Sequence, residues 1–321
     1  MSATLPLARR PTASVWQIAS TVMLAGAVAA LLYLTGRIVL FAIQADIWAL
    51  GRGAALWSLL IAGGIYLIGH AFRILRLALL IGGWRVGFRE IASFHLMTAA
   101  VSLTAPLKLG ELYRAVEMAN VTGSIVRALA IAWCERTLDV IVLLVLLMLG
   151  MSYSSGDTSE FGAVLVLAGA FTMATAVAFF ILPDNLRRLA VLIIRRYDDP
   201  STVGLLRVID MLRRAILEAP NLVRGKMASL ATLTAFIWLS EIACFSVAIP
   251  SLGRSVHAGL DALLTFLSAL TRGETLLGVL ASDKPKSLGV PPLSYLVVTQ
   301  VPLAFLGLAA AVAYVRRRRQ S

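Results

Sequence analysis

The chain has 321 residues, of which 59% are hydrophobic and 14% charged, with a net charge of +12 and a mean hydropathy of +0.86. A soluble domain carries about 25% charged residues, so this composition excludes an ordinary globular fold that must solvate its whole surface. The apolar residues stand in long continuous blocks rather than alternating segments of about ten residues, which also excludes an outer-membrane barrel.

Six runs are long enough to cross about 30 Å of hydrocarbon as helices: roughly 16–35, 55–80, 124–151, 161–182, 227–250 and 292–315. Arg9 and Arg10 precede the first run, with no small-residue cleavage site after them, so the N-terminus reads as retained and inside. The segment SYSSGDTSE after the third run has acids and no bases and is expected outside. The long 183–226 loop carries Arg187, Arg188, Arg195, Arg196, Arg207, Arg213, Arg214, Arg224 and Lys226 and is expected inside, as is the tail Arg316–Arg319. Arg37 and Arg52, in the first external loop, run against this pattern. The expectation is one all-α, polytopic membrane domain over 1–321, with both ends cytoplasmic, in an inner or plasma membrane. The basic charge is then a positive-inside bias with attraction to anionic lipid headgroups. No basic soluble domain is present to bind nucleic acid.

Two stretches do not fit simple spans. Residues 87–122 begin and end inside. They contain an apolar piece of about 15 residues, IASFHLMTAAVSLTA, then Pro106, then a second short helix, LGELYRAVEMA. Proline removes a backbone donor and disfavours helix at the residue before it. Too short to cross and broken by Pro106, the stretch predicts a re-entrant hairpin. Such a break is tolerated at membrane depth only within protein or beside a wet cavity. Residues 256–290 begin and end outside, with a short apolar helix Leu260–Leu270, the polar string Thr271–Arg272–Gly273–Glu274, and then Pro285 and Gly289. They read either as a second, opposed hairpin, a transporter arrangement, or as two full spans, giving eight. The 183–226 loop predicts two amphipathic helices around Tyr197–Asp198–Asp199–Pro200, with an apolar stripe at Leu205, Ile209, Leu212 and Ile216. Either it lies on an anionic lipid surface or it folds on itself as a cytoplasmic hairpin.

Ionisable residues within a bilayer cost a few kcal/mol each and cluster at functional sites. Here the hairpin supplies Lys108, Glu111 and Arg114, and the next span supplies Glu135, Arg136 and Asp139 in AWCERTLDVIVLL. At about 1.5 Å per residue from Gly123, Glu135 and Asp139 lie roughly 18–24 Å into the helix, and their i,i+4 spacing puts them on one face. They need cations, and Lys108, Arg114 and Arg136 are the nearest in sequence. The cluster serves either as an ion-pair latch or as a cavity for a charged headgroup, for which arginine's planar fork suits phosphate. Charge within it balances, so a phosphate needs a rearranged pair or further charge from Arg73 and Arg76. The ordinary expectation for those two, at the cytoplasmic end of the second span, is snorkelling. Glu241, mid-span in FIWLSEIACF, is either protonated, which would suit proton coupling, or paired with Arg272. His70, His95 and His257 read as scattered, and Cys134 and Cys244 as buried structural thiols, so no metal site or other cofactor is expected. No GxSxG, Walker A or HExxH string supports a hydrolase or a nucleotide-driven enzyme.

The string VSLTAPLKLGELYRA, followed about twenty residues later by CERTLDVIVLL, resembles the membrane region of lysylphosphatidylglycerol synthase, a flippase-like family found alone or fused to an aminoacyl-transferase domain. The pattern of Pro, a base, Gly-Glu and Arg, then Glu-Arg and Asp, falls here on Pro106, Lys108, Gly110, Glu111, Arg114, Glu135, Arg136 and Asp139. The chain departs from the family at Ser102 and Thr104, where Asn is frequent, and at Lys108, where Arg is frequent. It departs again at KPKSLGVPPLSYLV, where a Pro-Gly-Gly-x-Gly-x-x-Glu motif is expected. The resemblance implies a translocator of a phospholipid or polyprenyl-linked lipid, stand-alone because the chain ends at RRRRQS. Its implied partners are anionic or phosphate-bearing membrane lipids and a separate synthase or glycosyltransferase. Two other functions fit the same residues. One is an intramembrane transferase using Glu135 or Asp139 as general base. The other is a scaffold that recruits a partner enzyme through the 183–226 loop.

Overall fold

The computed structural model describes residues 54–82, 86–104, 109–153, 159–196, 200–248 and 293–318, with isolated helical positions between 21 and 36. The apolar runs fold as helices because a helix satisfies its own backbone polar groups, which lipid cannot do. In chain order they are α1 (Ala54–Ile81), α2 (Phe88–Thr104), α3 (Leu109–Thr122), α4 (Ile125–Tyr153), α5 (Ser159–Phe180), α6 (Leu182–Arg196), α7 (Pro200–Val223), α8 (Met227–Ala248) and α9 (Leu293–Arg318). There is no strand among the described residues.

Five of the helices, α1, α4, α5, α8 and α9, occupy runs predicted to span. Leu60–Ile81 of α1 and Met227–Cys244 of α8 are long and apolar enough to cross a bilayer by themselves. Leu165–Phe180 and Leu182–Arg196 make a third such segment if they count as one, but they meet at a 57° bend. The first predicted span lies largely outside the described residues, and the whole of 256–290 lies outside them.

The α2–α3 pair is a helical hairpin. At 17 and 14 residues, the two helices reach only about 26 and 21 Å at 1.5 Å per residue, each short of the hydrocarbon thickness. The predicted break, including Pro106 and Lys108, lies outside the described residues. Gly110, just after it, sets how closely the helices approach, because a Cβ there would stand 2.4 Å from Ser102 Cα. Gly123, with φ of 69°, then turns the chain from α3 into α4 in a left-handed conformation that glycine adopts without strain.

One core joins most of the elements: Leu77 and Leu80 of α1, Phe94 of α2, Met118 of α3, Ile131 of α4 and Leu230 of α8 are all buried together. α1 packs along α8, and α2 along α9. Basic side chains close the C-terminal end of α1: Lys226 Nζ donates to Leu79 O at 2.8 Å and Arg127 to Ile81 O at 3.2 Å, partners for carbonyls that a helix end leaves unmet.

The 183–226 loop is α6 and α7, folded against each other. Leu186 and Ile193 meet Ile209 and Ile216, and Trp133 of α4 joins them. Of the predicted stripe, Ile209 and Ile216 are buried and Leu212 is partly buried, but Leu205 is exposed. Asp184 in the first turn of α6 and Arg195 and Arg196 in the last are each placed favourably for the helix dipole. On α5, Val166, Met173 and Phe180 are exposed, and on α4, Val145 and Met148. A water-facing surface does not tolerate so much contiguous hydrocarbon.

Candidate functional site

Beyond Arg127 in its first turn, α4 carries charged residues at 135, 136 and 139, so two of them share a face and the third stands off it. Glu135 is buried and is held from two sides: Arg114 Nη2 from α3 lies 2.6 Å away and Arg76 Nη2 from α1 lies 3.6 Å away. Asp139, one turn on, receives Arg76 through both terminal nitrogens, at 2.5 and 3.2 Å. Arg76 Nη1 also donates to Thr234 of α8 at 3.1 Å. One guanidinium therefore ties α1 to α4 and α8. Arg136 points the other way and pairs with Glu111 of α3 at the rim, where both side chains are about half exposed.

These residues line a narrow cleft between α3 and α4, formed by Arg76, Glu111, Arg114, Glu135, Arg136 and Asp139 with Ala115 and Ala132 between them. Its free space is about 20 Å³, little more than one water molecule requires. Three cations face three carboxylates, so the cleft is electrically balanced. Hydrogen bonding is not balanced. Arg76 and Arg114 both place terminal nitrogens against carboxylates, while the Nε–H of each, and Glu135 Oε1, are buried without a hydrogen-bond partner among the described residues.

The structure brings together Glu111, Arg114, Glu135, Arg136 and Asp139, as their spacing suggested, and supplies Arg76 as the central cation. Snorkelling is the wrong expectation for Arg76, which is 3% exposed and directed inward. The 63 residues that separate it from Asp139 leave no local sequence signal for the pair. Lys108, Arg272 and Glu274 lie outside the described residues. Glu241 is paired, and with Arg73: their oxygen and nitrogen stand 2.8 Å apart. Arg73 and Arg76 thus leave α1 one turn apart towards different carboxylates.

His70 and His95 are not scattered but lie in contact, Nδ1 to Nε2 at 3.1 Å; His257 lies outside the described residues. Glu117, fully buried in α3, accepts from Tyr314 Oη at 2.8 Å and Asn120 Nδ2 at 3.4 Å. An acid in the middle of LYRAVEMA, on a helix packed on both sides, was the available signal for it. No cluster of three or more metal-ligating side chains occurs among the described residues. Cys134 and Cys244 are free and buried.

Over residues 22–272 the chain matches the model of a family described as the lysylphosphatidylglycerol synthase TM region. The chain belongs to that family. The match covers well over half of the sequence and includes every residue of the cleft, Glu241 and Arg272. The stretch KPKSLGVPPLSYLV lies beyond the match. Neither a curated relative nor a solved structure matches the chain. As a member of the lysylphosphatidylglycerol synthase TM region family, the protein is a membrane protein, and its helices and exposed apolar faces agree with that.

Proposed function

We propose that the protein translocates a phospholipid or polyprenyl-linked lipid between leaflets, with the headgroup entering the cleft between α3 and α4. The observation that carries this reading is the pair of buried Nε–H donors on Arg76 and Arg114 that have no acceptor among the described residues. They give an electrically neutral site spare capacity for an acceptor, and a phosphoryl group offers several oxygens. Arg76, Arg114, Arg136 and Lys108 contact the phosphate. Glu111, Glu135 and Asp139 orient these bases or receive an amine on the lipid. A zwitterionic headgroup can enter by exchange, its phosphate taking an arginine while its amine takes the released carboxylate, so that net charge in the cleft stays constant. Free space of about 20 Å³ does not hold a headgroup, so α3 must move away from α4 to admit one. The half-exposed Arg136–Glu111 pair is the outer contact that opens first.

The topology that accompanies this function has six spans, the α2–α3 hairpin entering from the cytoplasm, an opposed hairpin at 256–290 carrying Arg272 and Glu274, and both ends cytoplasmic. The membrane is the inner or plasma membrane.

The test is transport of a fluorescent phospholipid in proteoliposomes, beside native mass spectrometry of retained lipid, for wild type and Arg136→Ala. Loss of transport and of a specific retained lipid is expected, with the melting temperature lowered by no more than about 4 °C. Equal transport and the same unselective lipids on both proteins would make the cluster an ion-pair latch. A chemically altered lipid would favour the transferase.

A further inference from the structure

His70 of α1 and His95 of α2 are both buried and belong to none of the ion pairs of the cleft. The direction of the hydrogen bond between them follows from a neighbour. Arg73 holds Nη1 3.5 Å from His70 Nε2 and Nη2 on Glu241. A guanidinium has only donors, so His70 Nε2 presents its lone pair. The ring proton of His70 is then on Nδ1, which donates across 3.1 Å to His95 Nε2. With Nε2 as the acceptor, His95 carries its own proton on Nδ1. Tyr66 packs edge-on against His70, with ring centroids 4.8 Å apart, and keeps that ring in register. The chain from Arg73 through His70 therefore ends at His95 Nδ1–H. That donor is buried, on a side chain 2% exposed, and has no acceptor among the described residues.

We propose that His95 Nδ1–H is a second ligand station, one that donates its hydrogen bond to a phosphoryl oxygen. The buried donor needs an acceptor, since such groups are nearly always satisfied. Arg73 is charge-balanced by Glu241, so the selection comes from the N–H itself: a donor opposes a metal ion or an ammonium group and calls for an oxygen acceptor. The chain also polarises in the right sense, because a donor fed by a cation through successive rings binds an anionic oxygen more strongly. His70 and Arg73 lie two turns and one turn from Arg76 along α1, about 9 and 4.5 Å by helical rise. The station uses none of the residues that line the α3–α4 cleft, so the two can be tested separately.

The test is nitrogen NMR of the full chain, labelled with ¹⁵N at its histidine rings, in a phosphate-free maltoside detergent. The chain has only three histidines, and His257→Gln and His70→Gln assign the signals. His95 is expected as the neutral Nδ1–H tautomer, and its Nδ1–H resonance is expected to shift on addition of short-chain phosphatidylglycerol. The same shift is expected in Arg136→Ala, so failure of the cleft and failure of this station are distinguishable. A response to the lipid alone assigns a headgroup ligand; a response to inorganic phosphate as well assigns the free anion. His95 protonated on Nε2, or an Nδ1–H that responds to neither probe because a water alone satisfies it, overturns the proposal.

Discussion

Replacing Arg76 by methionine is predicted to be the most destabilising single change among the ion-paired residues. The substitution keeps a similar stem but removes a guanidinium whose side chain is 4% exposed. Asp139 then has no described partner, and Glu135 keeps only Arg114. Breaking a buried pair from one side costs about 3–5 kcal/mol, because a charge is left without compensation. At ~2–4 °C per kcal/mol for a chain of a few hundred residues, the melting temperature in detergent should fall by roughly 6–20 °C. The double variant Arg76→Met/Asp139→Leu removes both charges and should recover most of the loss, since a buried pair exchanged for apolar groups is often near neutral. The four melting curves form a double-mutant cycle, and the predicted coupling is ~2–3 kcal/mol. Additive losses, or an Arg76→Met protein that melts within a degree of wild type, would refute the argument that Arg76 is the electrostatic keystone of the α1–α4–α8 contact.

The Arg136–Glu111 pair should behave differently. Its side chains are 51% and 44% exposed, so Arg136→Ala should cost less than about 1 kcal/mol, which is why the same variant isolates function from folding. Glu241→Gln should cost about 1–3 kcal/mol in thermal unfolding by leaving Arg73 underpaired, and restoring full stability with Arg73→Gln in the same chain is expected. Gly110→Ala should unfold the hairpin contact, because the added carbon would stand 2.4 Å from the Ser102 backbone, and a loss of ~1–3 kcal/mol or more is expected from overpacking. A near-normal melting temperature there would mean that α2 and α3 are not in close contact. For topology, Ser155→Cys should react with an impermeant maleimide in intact cells, and Arg195→Cys only after permeabilisation. Cys134 and Cys244 are buried and should contribute little background.

Much of the candidate site was legible before any coordinates. Glu135 and Asp139 are four residues apart on an uninterrupted helix, so a shared face was a matter of helical geometry alone. Arg114 and Glu111 had to lie near them, because a hairpin too short to cross returns next to the span that follows it. What local patterning cannot supply is the pairing of distant helices. Arg76 looked like a snorkelling residue because its position along α1 is visible in sequence and its azimuth relative to α4 and α8 is not. The same holds for Arg73 with Glu241, which are 168 residues apart, and for His70 with His95, which sit in successive helices with nothing in either string to align them.

Sequence by itself determined that the chain is a helical membrane protein, where most of its helices run, which family it resembles and which ionisable residues must find partners in a low dielectric. These follow from local causes: hydrophobic run length, proline and glycine chemistry, helical periodicity and the cost of an unpaired charge in lipid. Only the tertiary structure decided that Arg76 rather than a nearer base holds Asp139, that Glu241 is matched by Arg73, and that His70 and His95 meet. Those depend on how helices far apart in sequence rotate against one another, and that rotation is set by the collective packing of the core around Leu77, Phe94, Met118, Ile131 and Leu230, not by any one segment.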